Sequence, residues 1–174
     1  MTYQSEKLRE LSSMLEKFAT TDGVHPVSEP NVGVFKTSSP YRKCSDAYDP
    51  AMIIVTQGQK RCYVGDQAFS YGEGRCLISL LPMPVQVELI EASVERPFLA
   101  IGIRIDLARM ADLSARVEQA RGPVDRRPET EPTGIFSTDL TDKLLDPVIR
   151  LFEASQNPVE ADIIGQLCID ELYY

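Results

Sequence analysis

Seven short runs rich in Val, Ile, Leu and aromatic residues follow one another between positions 32 and 105, each set off by glycine, proline or polar residues. They cover residues 32–36, 52–57, 60–64, 67–71, 75–81, 85–91 and 98–105. Parallel pairing needs a crossover of a dozen or more residues, usually a helix, and most of these gaps have no room for one. The spacing predicts an antiparallel sandwich or barrel.

Helices are expected on both sides of the strands. Near the start, Leu8, Leu11, Leu15 and Phe18 recur at helical spacing behind Ser5 as the cap, and Asp22-Gly23 ends the pattern. After the last strand, Leu107, Met110, Leu113 and Val117 predict a short helix. Residues 121–134 hold Pro123, Pro128 and Pro132 among charges and glycines, which reads as a linker. Residues 134–137 are expected to add one more strand. Thr138 is the expected cap of a helix carrying Leu140, Leu144, Leu145, Val148, Leu151 and Phe152, with a kink at Pro147. Asn157-Pro158 opens a last helix with the ladders Val159, Ile163, Leu167 and Ile164, Cys168, Leu172. Tyr173-Tyr174 carries no stop signal, so a chain cut within a helix is expected.

Charge and cysteine usage narrow the function classes. With 26 acidic and 18 basic side chains among 174 residues the net charge is -8, and the basic residues form no stripe. A phosphate backbone repels such a surface, so this segment alone is not expected to bind nucleic acid. Residues 1–18 lack a basic start followed by an apolar run, and no stretch approaches the roughly 18 apolar residues of a membrane span; a cytoplasmic protein is expected. Cys44, Cys62, Cys76 and Cys168 are far apart with no C-x-x-C pair, which predicts free thiols.

Catalytic chemistry is poorly supplied. A metal-dependent barrel enzyme needs two or three histidines and a carboxylate on one ion, and the chain has a single histidine, His25. His25 falls in the segment Gly23-Val24-His25-Pro26, read as a turn in which it makes a structural hydrogen bond. No serine occupies a strand-to-helix elbow. Gly72-Glu73-Gly74, Gly58 and Gly65 precede no helix, so they are hairpin glycines and not phosphate loops. No metal or cofactor is implied.

One hairpin allows its faces to be derived. A two-residue turn at Gly65-Asp66 sets Val64 opposite Gln67, Cys62 opposite Phe69 and Lys60 opposite Tyr71, with Tyr63 opposite Ala68 and Arg61 opposite Ser70. Cys62, Val64, Phe69 and Tyr71 form the apolar side and are expected to face inward, with Lys60 at the rim and Arg61 and Ser70 outside. The same alternation along 75–80 groups Cys76 with Ile78 and Leu80, and that face is taken as inward too.

A string of residues carries a wider resemblance: Tyr48-Asp49-Pro50, Gln57-Gly58-Gln59-Lys60-Arg61, Gly65-Asp66, Phe69-Ser70-Tyr71, Gly74, Leu81-Pro82-Met83-Pro84-Val85, Glu91-Ala92-Ser93 and Pro97-Phe98-Leu99, with the earlier Asp22-Gly23-Val24-His25. In order and spacing it resembles the N-terminal domain of AraC-type bacterial transcription regulators, over about residues 5 to 174. Met83 departs from the plain Leu-Pro-Val run that this subgroup often has.

The resemblance implies a mainly β fold with α: a cupin-like β-barrel (jelly roll) with an N-terminal helix and C-terminal dimerisation helices. The expected division is helix and barrel over 1–120, linker and extra strand over 121–137, and dimerisation helices over 138–174, with a helix-turn-helix DNA-binding domain beyond. It implies an effector-sensing regulator and not an enzyme. The expected ligand-binding residues are Lys60, Cys62, Phe69, Tyr71 and Cys76, lining a lumen suited to a small, largely apolar effector with Tyr71 and Lys60 at its polar end. The expected homodimer face is Leu144, Val148, Leu151, Ile163 and Leu167. A metal-free cupin isomerase or lyase, working by acid and base from Glu, Tyr or Lys, is the alternative from another class; a purely structural dimerisation domain is the third.

Overall fold

In the computed structural model, residues 4–28, 31–122 and 134–174 are described. The expected Pro-rich linker therefore lies largely outside the described residues. Helix α1 (Gln4–Phe18) is followed by nine strands: β1 (Gly23–Pro26), β2 (Val32–Thr37), β3 (Tyr41–Tyr48), β4 (Ala51–Gln57), β5 (Gln59–Val64), β6 (Gln67–Gly72), β7 (Arg75–Ser79), β8 (Met83–Glu91) and β9 (Phe98–Arg104). Helix α2 (Leu107–Arg121), strand β10 (Ile135–Asp139) and helix α3 (Asp142–Ala154) come next. The chain ends in α4 (Pro158–Glu160), a π-helical turn (Ala161–Gly165) and α5 (Gln166–Tyr173).

Two antiparallel sheets face each other in a cupin-like arrangement. One has the order β1-β2-β9-β4-β7-β10 and the other β3-β8-β5-β6. Between them lies a layer containing Tyr48, Val55, Cys62, Tyr71, Leu77, Val87, Leu89, Phe98 and Ile135. A second layer lies on the outer face of the six-stranded sheet, where Val34, Ile54, Cys76, Leu99 and Ile101 pack with Leu8, Leu11 and Leu15 of α1, Val148, Leu151 and Phe152 of α3, and Cys168 of α5. The six-stranded sheet is thus apolar on both faces, whereas β8 alternates buried and more exposed residues along its length. Phe18 and Phe152 meet edge to face at 5.4 Å and join α1 to α3.

Local differences from the sequence reading have physical reasons. Residues 23–26 are strand β1 and not a turn; His25 pairs with Val34 across the ladder, and its Nε2 donates to the Thr21 carbonyl at 2.8 Å. Strand β3 carries Tyr-Arg-Lys-Cys-Ser-Asp-Ala-Tyr, a polar edge strand without apolar alternation to reveal it, and Cys44 sits within it. Helix α1 starts before Ser5. Thr141, not Thr138, is the cap position of α3, because Thr138 still belongs to β10 and pairs with Cys76. Asn157 caps as expected, its side chain accepting from the Val159 N–H at 2.9 Å. Strand β10 completes the six-stranded sheet beside β7, which makes residues 135–139 part of the barrel wall. Among the described residues no helix is long and apolar enough to cross a membrane.

Candidate ligand-binding cavity

The space between the sheets is incompletely filled, and small residues are the cause. On the inner face of the six-stranded sheet stand Gly33, Ala51, Ala100 and Gly102, and Gly33 and Gly102 are direct partners across the ladder. Neither glycine has a positive φ. A Cβ built on Gly102 meets only the Gly33 carbonyl oxygen, at 3.9 Å, so these glycines answer no backbone demand and leave room instead. The resulting cavity has a volume of about 470 Å³. Phe35, Ile53, Phe98 and Ala100 form its apolar walls, Tyr48, Lys60 and Tyr71 supply polar groups, and Val24, Pro26, Asn31 and Arg104 also line it.

The polar end comes from the four-stranded sheet. The β5–β6 hairpin has the derived register, Lys60 opposite Tyr71 and Cys62 opposite Phe69. Gly65, with φ +55, takes the first turn position, as a II′ turn requires. Lys60 is 8% exposed, inside and not at the rim. Its Nζ lies 5.6 Å from the Phe35 ring centroid and 5.7 Å from that of Tyr48, with no hydrogen bond or ion pair to any described residue. Burial lowers its pKa against the smaller upward pull of Asp46, Cys62 and Cys44. The Tyr48 and Tyr71 hydroxyls share a buried hydrogen bond of 2.8 Å. Burial raises the pKa of both phenols and pushes the Cys62 thiol up to about 11.

The expected ligand-binding residues divide accordingly. Lys60 and Tyr71 line the cavity, while Cys62 and Phe69 lie in the layer behind it. Cys76 is on the opposite side of the sheet, under the helices, and its inward assignment is corrected: it is Leu77 that faces the cavity layer. Tyr48, Phe35, Phe98 and the two glycines were missed. Tyr48 and Phe98 stand in the string that carries the family resemblance. Gly33 and Gly102, each between large apolar neighbours in a strand, were the readable sign of a gap.

The expected dimer residues divide as well. Val148 and Leu151 are fully buried against α1 and the outer face of the six-stranded sheet, and Leu144 packs at the edge of that layer. A residue already covered within its own chain has no surface to offer a partner, so Val148 and Leu151 are corrected from interface to core. Ile163 and Leu167 are 59% and 61% exposed, in line with Val159 at 67%.

The family model for the AraC-type transcriptional regulator N-terminus matches residues 28–174. The chain belongs to this family. Two solved structures share the fold of this AraC-type domain. An apo ToxT variant from Vibrio cholerae matches with a TM-score of 0.50 at 6% identity, covering 79% of this chain and 53% of that one. ToxT from Vibrio cholerae bound to (E)-4-(8-methylnaphthalen-1-yl)but-3-enoic acid matches with a TM-score of 0.51 at 8% identity, covering 82% of this chain and 57% of that one. The AraC-type domain thus spans little more than half the length of either ToxT chain. No curated protein sequence matches it.

Proposed function

We propose that this AraC-type domain senses a small-molecule effector in the cavity between its sheets and joins two copies of the regulator, while a helix-turn-helix domain outside these residues reads DNA. The observation that carries the sensing role is the cavity itself: apolar walls, three convergent polar side chains and a volume typical of small-ligand sites. The ToxT structure with a bound naphthyl-butenoic acid supports the same use of this fold. The net charge of -8 supports assigning DNA contact to other residues. The reading is of a cytoplasmic regulator and not an enzyme.

The sensing role is tested by thermal shift against a panel of small apolar compounds, on wild type and on Gly102→Val, whose side chain fills the cavity. A true effector at about a hundredfold excess over its Kd raises the wild-type Tm by about 5–10 °C and leaves the variant unmoved. Shifts that persist in Gly102→Val, or none across the panel, defeat the reading.

The dimer is assigned to the exposed stripe Val159, Ile163 and Leu167, spaced four apart along the C-terminal helical run. Light scattering is expected to give a dimer for wild type and a monomer for Ile163→Asp. A monomeric wild type removes this part of the proposal.

A further inference from the structure

Lys60 poses a problem that the rest of the cavity does not solve. The residue is more than nine-tenths withdrawn from water and lines the cavity, and its ammonium makes no hydrogen bond or ion pair with any described residue. An uncompensated charge at such a site is costly, so it is retained only where something in the working molecule answers it. The two aromatic rings stand at the far limit of useful cation–π distance. Asp46, the carboxylate that pulls the Lys60 pKa upward, is on the exposed strand β3, and its Oδ1 accepts the Ala47 N–H at 2.8 Å. Arg104, which also lines the cavity, is exposed and pairs with Asp49 at 3.5 Å.

We infer that the ligand of this cavity is a lipophilic monoanion, such as an aryl or long alkyl carboxylate, with its charge seated on Lys60 and a hydrogen bond from the Tyr48–Tyr71 pair. The inference rests on the proposed sensing role and names the class of compound sensed. The two phenols share a single hydrogen bond, so one of their two hydroxyl protons is left over and can be donated. Both hydroxyls stay protonated, as does the Cys62 thiol, and none of them can serve as the counter-anion of Lys60. A single cation in the interior favours one negative charge over two. Apart from the exposed Asn31 and Arg104, the remaining walls, Phe35, Ile53, Phe98, Ala100 and the bare Gly33–Gly102 strip, offer a slim ligand body apolar contact.

The test uses two fluorescent probes with a common aryl-amine body, the anionic 1-anilinonaphthalene-8-sulfonate and the neutral N-phenyl-1-naphthylamine. Each is titrated into wild type, Lys60→Met, Tyr71→Phe and Gly102→Val. Wild type is expected to bind the anion about tenfold or more tighter than the neutral probe, on the scale of one charge-assisted contact. Lys60→Met abolishes that preference with the neutral probe unchanged, Tyr71→Phe reduces it by a smaller factor, and Gly102→Val loses both probes. Neutral binding as tight as anionic binding in wild type overturns the inference while leaving a sensing cavity intact; this comparison stands even where a variant fails to fold. A preference that survives Lys60→Met or Gly102→Val assigns the anion to another surface and overturns it too. Failure of wild type to bind either probe in the cavity removes the sensing role and the inference together.

Discussion

The six-stranded sheet and the four-stranded sheet solve different problems with the same alternating geometry. The first is covered on both sides: Leu99 and Ile101 go under the helices while Phe98 and Ala100 go toward the cavity. The second has one wet face, where Arg61 reaches Ser70 and Glu88, Tyr63 donates to Glu88 at 2.8 Å, and the Lys43 ammonium stands 3.8 Å from the Tyr63 ring centroid. A strand with one wet face announces its orientation in the sequence, and a strand with two dry faces does not. The difference separates the residues that hold the fold from those that shape the ligand space.

Four measurements put that contrast to the test. The largest effect is expected in thiol labelling of the native protein. Cys44 on the exposed edge strand should react on the order of a hundredfold or more faster than Cys62 between the sheets and Cys76 beneath the helices. Rapid labelling of Cys76 would show that the helical layer does not cover the sheet. Next, Leu151→Ala should cost about 2–5 kcal/mol in denaturant unfolding, as a buried leucine does. A value near zero would return Leu151 to the surface.

Lys60→Met should act in the opposite direction and stabilise the ligand-free protein by about 1–4 kcal/mol, the scale found when buried ionic groups give way to apolar ones. The pH dependence has a definite sign. The folded-state pKa of Lys60 lies below its ordinary value of 10.5, so between the two the unfolded chain holds more protons and wild-type stability rises with pH. The advantage of Lys60→Met is therefore full below the folded pKa and shrinks as pH approaches 10.5. Asp46, Cys62 and Cys44 pull the Lys60 pKa upward and the Tyr48 and Tyr71 hydroxyls face it; an advantage that fails to shrink as pH approaches 10.5 would mean that this pull, and not burial, dominates. The smallest effect belongs to the wet face. Arg61→Ala should leave the denaturant midpoint nearly unchanged, since its partner Glu88 is 3.8 Å away and both are partly solvated.

Legibility followed the same division. The β5–β6 hairpin could be read residue by residue because its turn fixed the register and its outer face carries Arg61 and Ser70. On β7 the faces were inverted: Cys76 and Ile78 are as apolar as Leu77, and nothing in a strand clad on both sides says which side is the lumen. The α3 stripe was legible as an amphipathic helix, but its partner was not, because an apolar stripe looks alike whether it meets its own sheet or a second chain. Helix α2 shows the converse. Its stripe Leu107, Met110, Leu113 and Val117 has no buried member, and the helix is held by Arg109 reaching Asp170 at 2.6 Å and the Gln166 carbonyl at 2.7 Å. Those polar contacts join residues some sixty positions apart, which no local pattern can reveal. Strand β3 escaped notice for want of apolar alternation, and it carries Tyr48, one of the three polar groups of the cavity.

The doubly clad sheet also bears on how far a message must travel. Ile53 lines the cavity and its neighbour Ile54 packs beneath the helices, so the two compartments are separated by the thickness of one backbone. Close-packed interiors deform little and pass strain onward. A guest that displaces β4 on one side displaces, through a single peptide unit, the bed on which α1 and α3 rest. The wall itself is then the wire, with no relay of side chains required, and β10, at the far edge of that wall, delivers the chain directly into α3.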